Sequence, residues 1–302
     1  MKSTEFFSEN LGSLNIENTV FDNPEYEQLN GLLSLEEIQD KRDKWTRYKY
    51  NGFNVPRCTE IINSTINKDY LNKWAAKLGE SYNKELNKIL DTGSLAHQYI
   101  EDYINYGKIK SNYVGFDRAD QIQAMKAYHN FMNFMSDMKN KGYKIEPIVT
   151  ELPFSTPWYG GTMDLLAYVT PPNGVKKFYI LDFKTSKKIS YTYFIQLMLY
   201  AQAYNFIKQN TINHDKIIDS INIPLEGIGI IRIDKKENKY EYLFVDSTID
   251  VDFINTLATT TSVMVNWYYN LNHIESSYNS YKKSYIERGG IDGIYRGIYP
   301  NC

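Results

Sequence analysis

Two runs of apolar, β-branched and aromatic residues, Leu165-Leu-Ala-Tyr-Val169 and Lys177-Phe-Tyr-Ile-Leu181, stand on either side of Pro171-Pro-Asn-Gly174. Such residues suit a pleated surface, and Pro with Gly punctuates it, so the pattern predicts two strands joined by a turn. Asp164 enters the first strand and Asp182 leaves the second, so antiparallel pairing returns both carboxylates to the same edge. Asp182 and Lys184 are two apart, which on an extended backbone puts both side chains on one face.

Helical periodicity dominates on both sides of this hairpin. From about Tyr191 to Lys208 the chain reads as a helix, with Gln196 and Tyr200 at i,i+4 on one side of it. Upstream, Thr92 to Glu101 reads as helix, with His97 and Glu101 likewise sharing a face. Asn67 caps a stripe of Leu71, Trp74, Ala75 and Leu78. A second stripe, Ile122, Met125, His129, Met132 and Met135, marks a long helix ending at Gly142, in which His129 is read as a packed histidine and not a ligand. The segment from Tyr48 to Arg57 reads as extended, and Ser34-Leu-Glu-Glu37 is a capping box that opens a short charged helix toward Trp45. After the central helix, Gly227–Ile233 and Lys239–Val245 flank the turn-like Asp234-Lys-Lys-Glu-Asn238 and predict a second hairpin that extends the sheet. A helix from about Asp250 to Tyr269 closes the fold. The sequence shows no internal repeats and no low-complexity linker.

The 302 residues, 42% hydrophobic and 23% charged, are globular values that one decorated core can accommodate. The net charge of −2 hides a division. Residues 1–40 hold nine acidic side chains against Lys2, a balance of −8, and the remainder carries 33 basic against 27 acidic, or +6. A mildly basic body of this kind can hold a phosphate backbone in a local groove. The tail from Tyr278 to Tyr299, with Lys282, Lys283, Arg288 and Arg296 among its aromatics, either lines a single-strand groove or packs. No apolar stretch approaches about 18 residues and no basic-then-apolar leader opens the chain, so a soluble cytoplasmic protein is expected. The 27 tyrosines, with many Asn, Ile and Lys, suggest an A/T-rich coding sequence such as that of a phage, in which case the compartment is the host cytoplasm.

Two convergent carboxylates and a lysine are what a metal-dependent phosphodiesterase needs, one set to hold the ion and one cation to meet phosphate. His97 can supply a third ligand, which leaves magnesium usable and adds tolerance of manganese. Each signal has a plainer reading: a solvated Asp-x-Lys pair, a surface histidine, and for Glu101 a solvated helix glutamate set against a supporting role beside the ligands.

Taken in order, Gly93-x-x-x-His97, Gly161-x-x-Asp164, Asp182-x-Lys184 and Gln196-x-x-x-Tyr200 resemble the RecB-like exonuclease branch of the PD-(D/E)XK nuclease superfamily, over about Val55 to Tyr204. The resemblance implies an α/β, restriction-endonuclease-like core: a mixed central β-sheet flanked by helices, with a helical elaboration before it. Residues 1–45 are read from their charge as an acidic segment with a short helix, and the resemblance implies a single nuclease domain over 46–302, with its motif core at about 90–208. It also implies His97, Asp164 and Asp182 as metal ligands for Mg²⁺ or Mn²⁺, and Lys184 as the residue that positions the attacking water. Gln196 and Tyr200 would contact DNA or the site, the alternative being packing, and Glu151 matches an acidic position often found on the preceding strand. The implied activity is a DNA exonuclease acting in recombination, repair or replication, with partner proteins of those processes. An endonuclease of the same fold, or an inactive DNA-binding or assembly protein, are the alternatives. With only Cys58 and Cys302, the four-cysteine iron–sulfur cluster of some members cannot form within one chain.

Overall fold

The computed structural model describes residues 48–66, 69–110, 116–172, 174–210 and 223–287. The acidic lead segment with its helix toward Trp45, the Asn67 cap and the tail beyond Glu287 lie outside the described residues.

The segment expected to be extended forms a small antiparallel hairpin, β1 (Tyr48–Tyr50) and β2 (Phe53–Val55), which turns at Asn51-Gly52 with positive φ at both positions. Four helices follow: α1 (Cys58–Thr65), α2 (Asp69–Leu78), α3 (Tyr82–Tyr106) and α4 (Arg118–Asn140). The main sheet then begins with β3 (Lys144–Ser155), β4 (Gly160–Thr170) and β5 (Lys177–Lys184). Helix α5 (Tyr191–Asn210) leads to β6 (Gly227–Ile233), β7 (Tyr240–Asp246) and α6 (Val251–Glu287).

The five strands lie in the order β3-β4-β5-β6-β7, antiparallel except for the parallel β5–β6 pair. A parallel pair needs a crossover connection, and α5 lies in it. This is the mixed, helix-flanked sheet expected of a restriction-endonuclease-like core, with most of its helical elaboration ahead of the sheet.

Alternation along the strands sorts the core into two layers. On one face Phe178 and Ile180 of β5 and Ile228 and Ile230 of β6 pack against α1, α5 and α6. On the other, Tyr179, Leu181 and Phe183 of β5 and Ile231 and Ile233 of β6 pack against α3 and α4. Covered on both sides, β6 is buried along its whole length, which explains its near-continuous apolar run. Pro147 sits on β3, an edge strand where a missing N–H is tolerated, beside a register shift between Pro147 and Val149.

Helix α4 turns a different face inward from the one its largest apolar residues suggest. Ala124, Ala127, Phe131, Phe134 and Met138 are buried, whereas Ile122 is 61% exposed and His129 is exposed, not packed. Met125, Met132 and Met135 flank the seam half-buried. The small alanines admit close approach of the sheet, a gain that hydropathy ranking misses, and Phe131 and Phe134 each add roughly 1.5–3 kcal/mol by burial. The closing helix is also longer than expected, 37 residues ending at Glu287. No described helix is long and apolar enough to cross a membrane.

Candidate metal centre

Pairing of β4 with β5 ends at Leu165–Leu181, one residue short of both aspartates. On its other side β5 continues in register with β6, Asp182 beside Ile230 and Lys184 beside Arg232. The strands part here, and the Phe183 N–H donates to Asp164 Oδ2 at 2.8 Å. A backbone donor thus fixes the first carboxylate at the mouth of the gap.

Helix α3 supplies the histidine. Gly93 lets this helix lie close to the end of β5, since a Cβ there would stand 3.3 Å from Thr185 Oγ1. One turn on, His97 Nδ1 lies 3.4 Å from Asp164 Oδ2 and 4.0 Å from Glu151 Oε1. Its ring meets Phe183 edge-on at 6.1 Å between centroids. Burial, helped by the Lys184 charge, pushes the imidazole down to about 4 against the opposing pull of Asp182 and the Phe183 backbone. At neutral pH His97 is uncharged, so one ring nitrogen carries the proton and the other keeps a lone pair that can serve as a ligand.

Glu151 stands between the pairs Thr150–Leu165 and Leu152–Met163, hence opposite Asp164. Its φ is +48°, the left-handed region that a non-glycine residue occupies at a cost. His97, Glu151 and Asp164 each offer a ligand atom, all within 4.8 Å of one another, and all three side chains are half-buried.

Asp182 falls outside that set and is fully buried. Lys184 Nζ lies 2.5 Å from its Oδ2, yet among the described residues neither Asp182 oxygen receives a well-directed hydrogen bond. Burial and the neighbouring Asp164 raise Asp182 to about 6, with Lys184 pulling the other way. Asp164 is also raised by burial, tempered by Lys184 and the Phe183 N–H. For Lys184 burial favours the neutral amine, but the two aspartates outweigh it and hold the lysine protonated. Its ammonium also lies 5.2 Å from the Tyr193 ring centroid. Buried carboxylate oxygens without directed donors, next to an imidazole and two further carboxylates, form a donor set that a hard divalent cation fits.

The remaining expected residues frame this cluster. Tyr200 is 4% exposed and its hydroxyl accepts from Gln196 Nε2 at 2.5 Å. Burial first, then the charges of Cys58, Asp182 and Asp164, push its hydroxyl well up, so it stays protonated. Gly161 makes room for it, because a Cβ there would stand 3.0 Å from the Tyr200 ring and 2.8 Å from the Phe154 ring. Glu101 is half-buried, accepts from Gln98 Nε2 at 2.8 Å, and is not one of the three clustered residues.

Sequence reasoning passed over two features of the site. Tyr48 of the β1–β2 hairpin bonds Thr162 at 2.9 Å, two residues before Asp164. Arg232 is fully buried in β6, and a lone cation in an apolar run was its signal.

No protein-family model matches the chain, and no curated protein matches it. Among solved structures it is similar to the crystal structure of a candidate exonuclease from Eubacterium rectale, at 14% identity over 58% of this chain and 67% of that one, with a TM-score of 0.29. A likeness this low leaves the functional reading to the chain's own residues.

Proposed function

We propose that the chain is a metal-dependent deoxyribonuclease of the PD-(D/E)XK type, in its RecB-like branch, that shortens DNA from an end using Mg²⁺ or Mn²⁺. The observation that carries this reading is the meeting of His97, Glu151 and Asp164 within 4.8 Å beside the buried Asp182–Lys184 pair. When bound, a divalent ion would polarise a non-bridging phosphate oxygen and make water a usable nucleophile. His97, Glu151 and Asp164 would hold it, with Asp182 alongside.

The chain's own residues then have separable tasks. Uncharged His97 offers a nitrogen without adding repulsion. The Phe183 N–H orients Asp164, and Asp182 keeps the Lys184 ammonium beside the cluster. From there the ammonium orients water and meets the negative charge that grows on phosphate during attack. Gln196 and Tyr200 brace the wall behind the aspartates.

An end-dependent, single-strand activity suits a body that is only mildly basic, with Lys187, Lys188 and Tyr191 exposed on the approach to α5. Stacking of unpaired bases on aromatics, worth about 1–3 kcal/mol per base, is indifferent to sequence and favours threading. The test compares linear and covalently closed circular single-stranded DNA in Mn²⁺. Progressive shortening of the linear strand with survival of the circle is expected. Rapid linearisation of circles by the wild type, absent in Asp182→Ala, would make the protein an endonuclease.

A further inference from the structure

The strand β6 reads Gly-Ile-Gly-Ile-Ile-Arg-Ile, and every position in it is buried. A guanidinium in such a place is costly unless its charge is balanced nearby. Arg232 Nε donates to Glu241 Oε2 at 2.9 Å on β7, and Nη1 donates to Asp234 Oδ2 at 3.0 Å. These two carboxylates balance the charge. Nη1 makes one more bond, to the backbone carbonyl of Ser186 at 3.0 Å, which charge balance does not require, while Nη2 is buried with no hydrogen-bond partner among the described residues.

That third bond is placed where it matters. Ser186 lies two residues beyond Lys184, and Arg232 stands directly beside Lys184 in the parallel register. The guanidinium therefore ties the chain leaving β5 to β6, β7 and the turn between them. The amine end of Lys184 is held separately, by Asp182 and the face of Tyr193. A lysine at 232 could carry the charge but not the rigid fork that reaches a carbonyl and two carboxylates together.

From this arrangement we infer that Arg232 is a positioning residue for Lys184, acting through the Ser186 carbonyl to fix where the lysine ammonium stands beside Asp182. The inference rests on the nuclease reading for its catalytic consequence, and on geometry alone for its structural one.

Both parts are tested with Arg232→Lys. Single-turnover cleavage of linear single-stranded DNA in Mn²⁺ should slow at least about tenfold, while Mn²⁺ affinity by calorimetry stays within about twofold. In a Lys184→Ala background the same substitution should add less than about twofold, because residues acting as a unit are not additive. Acetylation of Lys184 by an N-hydroxysuccinimide ester, read by peptide mass spectrometry, should quicken several-fold while that of exposed Lys144 is unchanged. An equal loss of rate in both backgrounds, or unchanged Lys184 reactivity, overturns the assignment. Should the wild type show no metal-dependent cleavage, the nuclease reading falls and the acetylation result alone decides the positioning claim. If Arg232→Lys does not fold, Glu241→Gln loosens the Nε anchor more gently and should give the same two changes in smaller size; no change in either, in folded protein, also overturns it.

Discussion

Glu151 offers a test in which backbone and side chain can be pulled apart. Its φ of +48° places an L-residue in the left-handed region on an edge strand, opposite Asp164. Holding a side chain there costs roughly 1–2 kcal/mol, whereas glycine in a strand interior is ordinarily worse than alanine by roughly 0.5–1 kcal/mol. The usual order should therefore invert, with Glu151→Gly more stable than Glu151→Ala by roughly 0.5–1 kcal/mol. At this chain length that is a gap of roughly 1–4 °C in Tm, measurable by calorimetry in EDTA. Both variants lack the carboxylate, so both should lose Mn²⁺ affinity and cleavage to the same extent. An alanine variant as stable as the glycine one would show that the backbone is not strained. Wild-type Mn²⁺ affinity in either variant would remove Glu151 from the ligand set.

Other outcomes follow from the same geometry. Lys184→Ala should cut cleavage to a small but measurable residual rate and leave Mn²⁺ binding largely intact, whereas Asp182→Ala, which removes buried carboxylate oxygens from the donor set, should lose both; calorimetric titration of the two variants checks this, and equal loss of binding would refute the division of roles. Gly161→Ala puts a methyl 2.8 Å from the Phe154 ring and 3.0 Å from that of Tyr200, so overpacking should cost about 1–3 kcal/mol in thermal denaturation and lower activity with it. Away from the site, Asp246 is pushed up by burial but held at about 2 by Lys177 and Thr248. Its folded value lies below the ordinary one, so its contribution is present above about pH 4 and fades as the pH falls toward 2. Asp246→Asn should accordingly lose about 1–2 kcal/mol at pH 7, allowing for screening, with wild type and variant converging near pH 2 in urea titrations.

What the sequence disclosed, and what it withheld, divides along physical lines. The β4–β5 pairing runs from Leu165–Leu181 to Val169–Lys177, the span that apolar runs around a Pro-Gly turn define, because turn chemistry and side-chain alternation are local. The second hairpin and the helix carrying Gln196 and Tyr200 were legible for the same reason. The inward face of α4 was not, because alanine becomes a core residue only when a neighbour comes close enough to use it. Nor was the left-handed backbone of Glu151 or the exclusion of Asp182 from the three-residue cluster, since both depend on where β4 and β5 part. Motif order indicated which residues gather, but their separation is set by the last rung of a ladder and by how near α3 can approach at Gly93.

The central claim, that this cluster hydrolyses phosphodiester bonds with a bound metal ion, is tested most directly with one end-labelled linear single strand. Wild type should degrade it in Mn²⁺ and leave it intact in EDTA, and Asp164→Asn should be inert in both while keeping a folded circular-dichroism spectrum. Degradation by wild type in EDTA, or by Asp164→Asn in Mn²⁺ at the wild-type rate, would contradict the account.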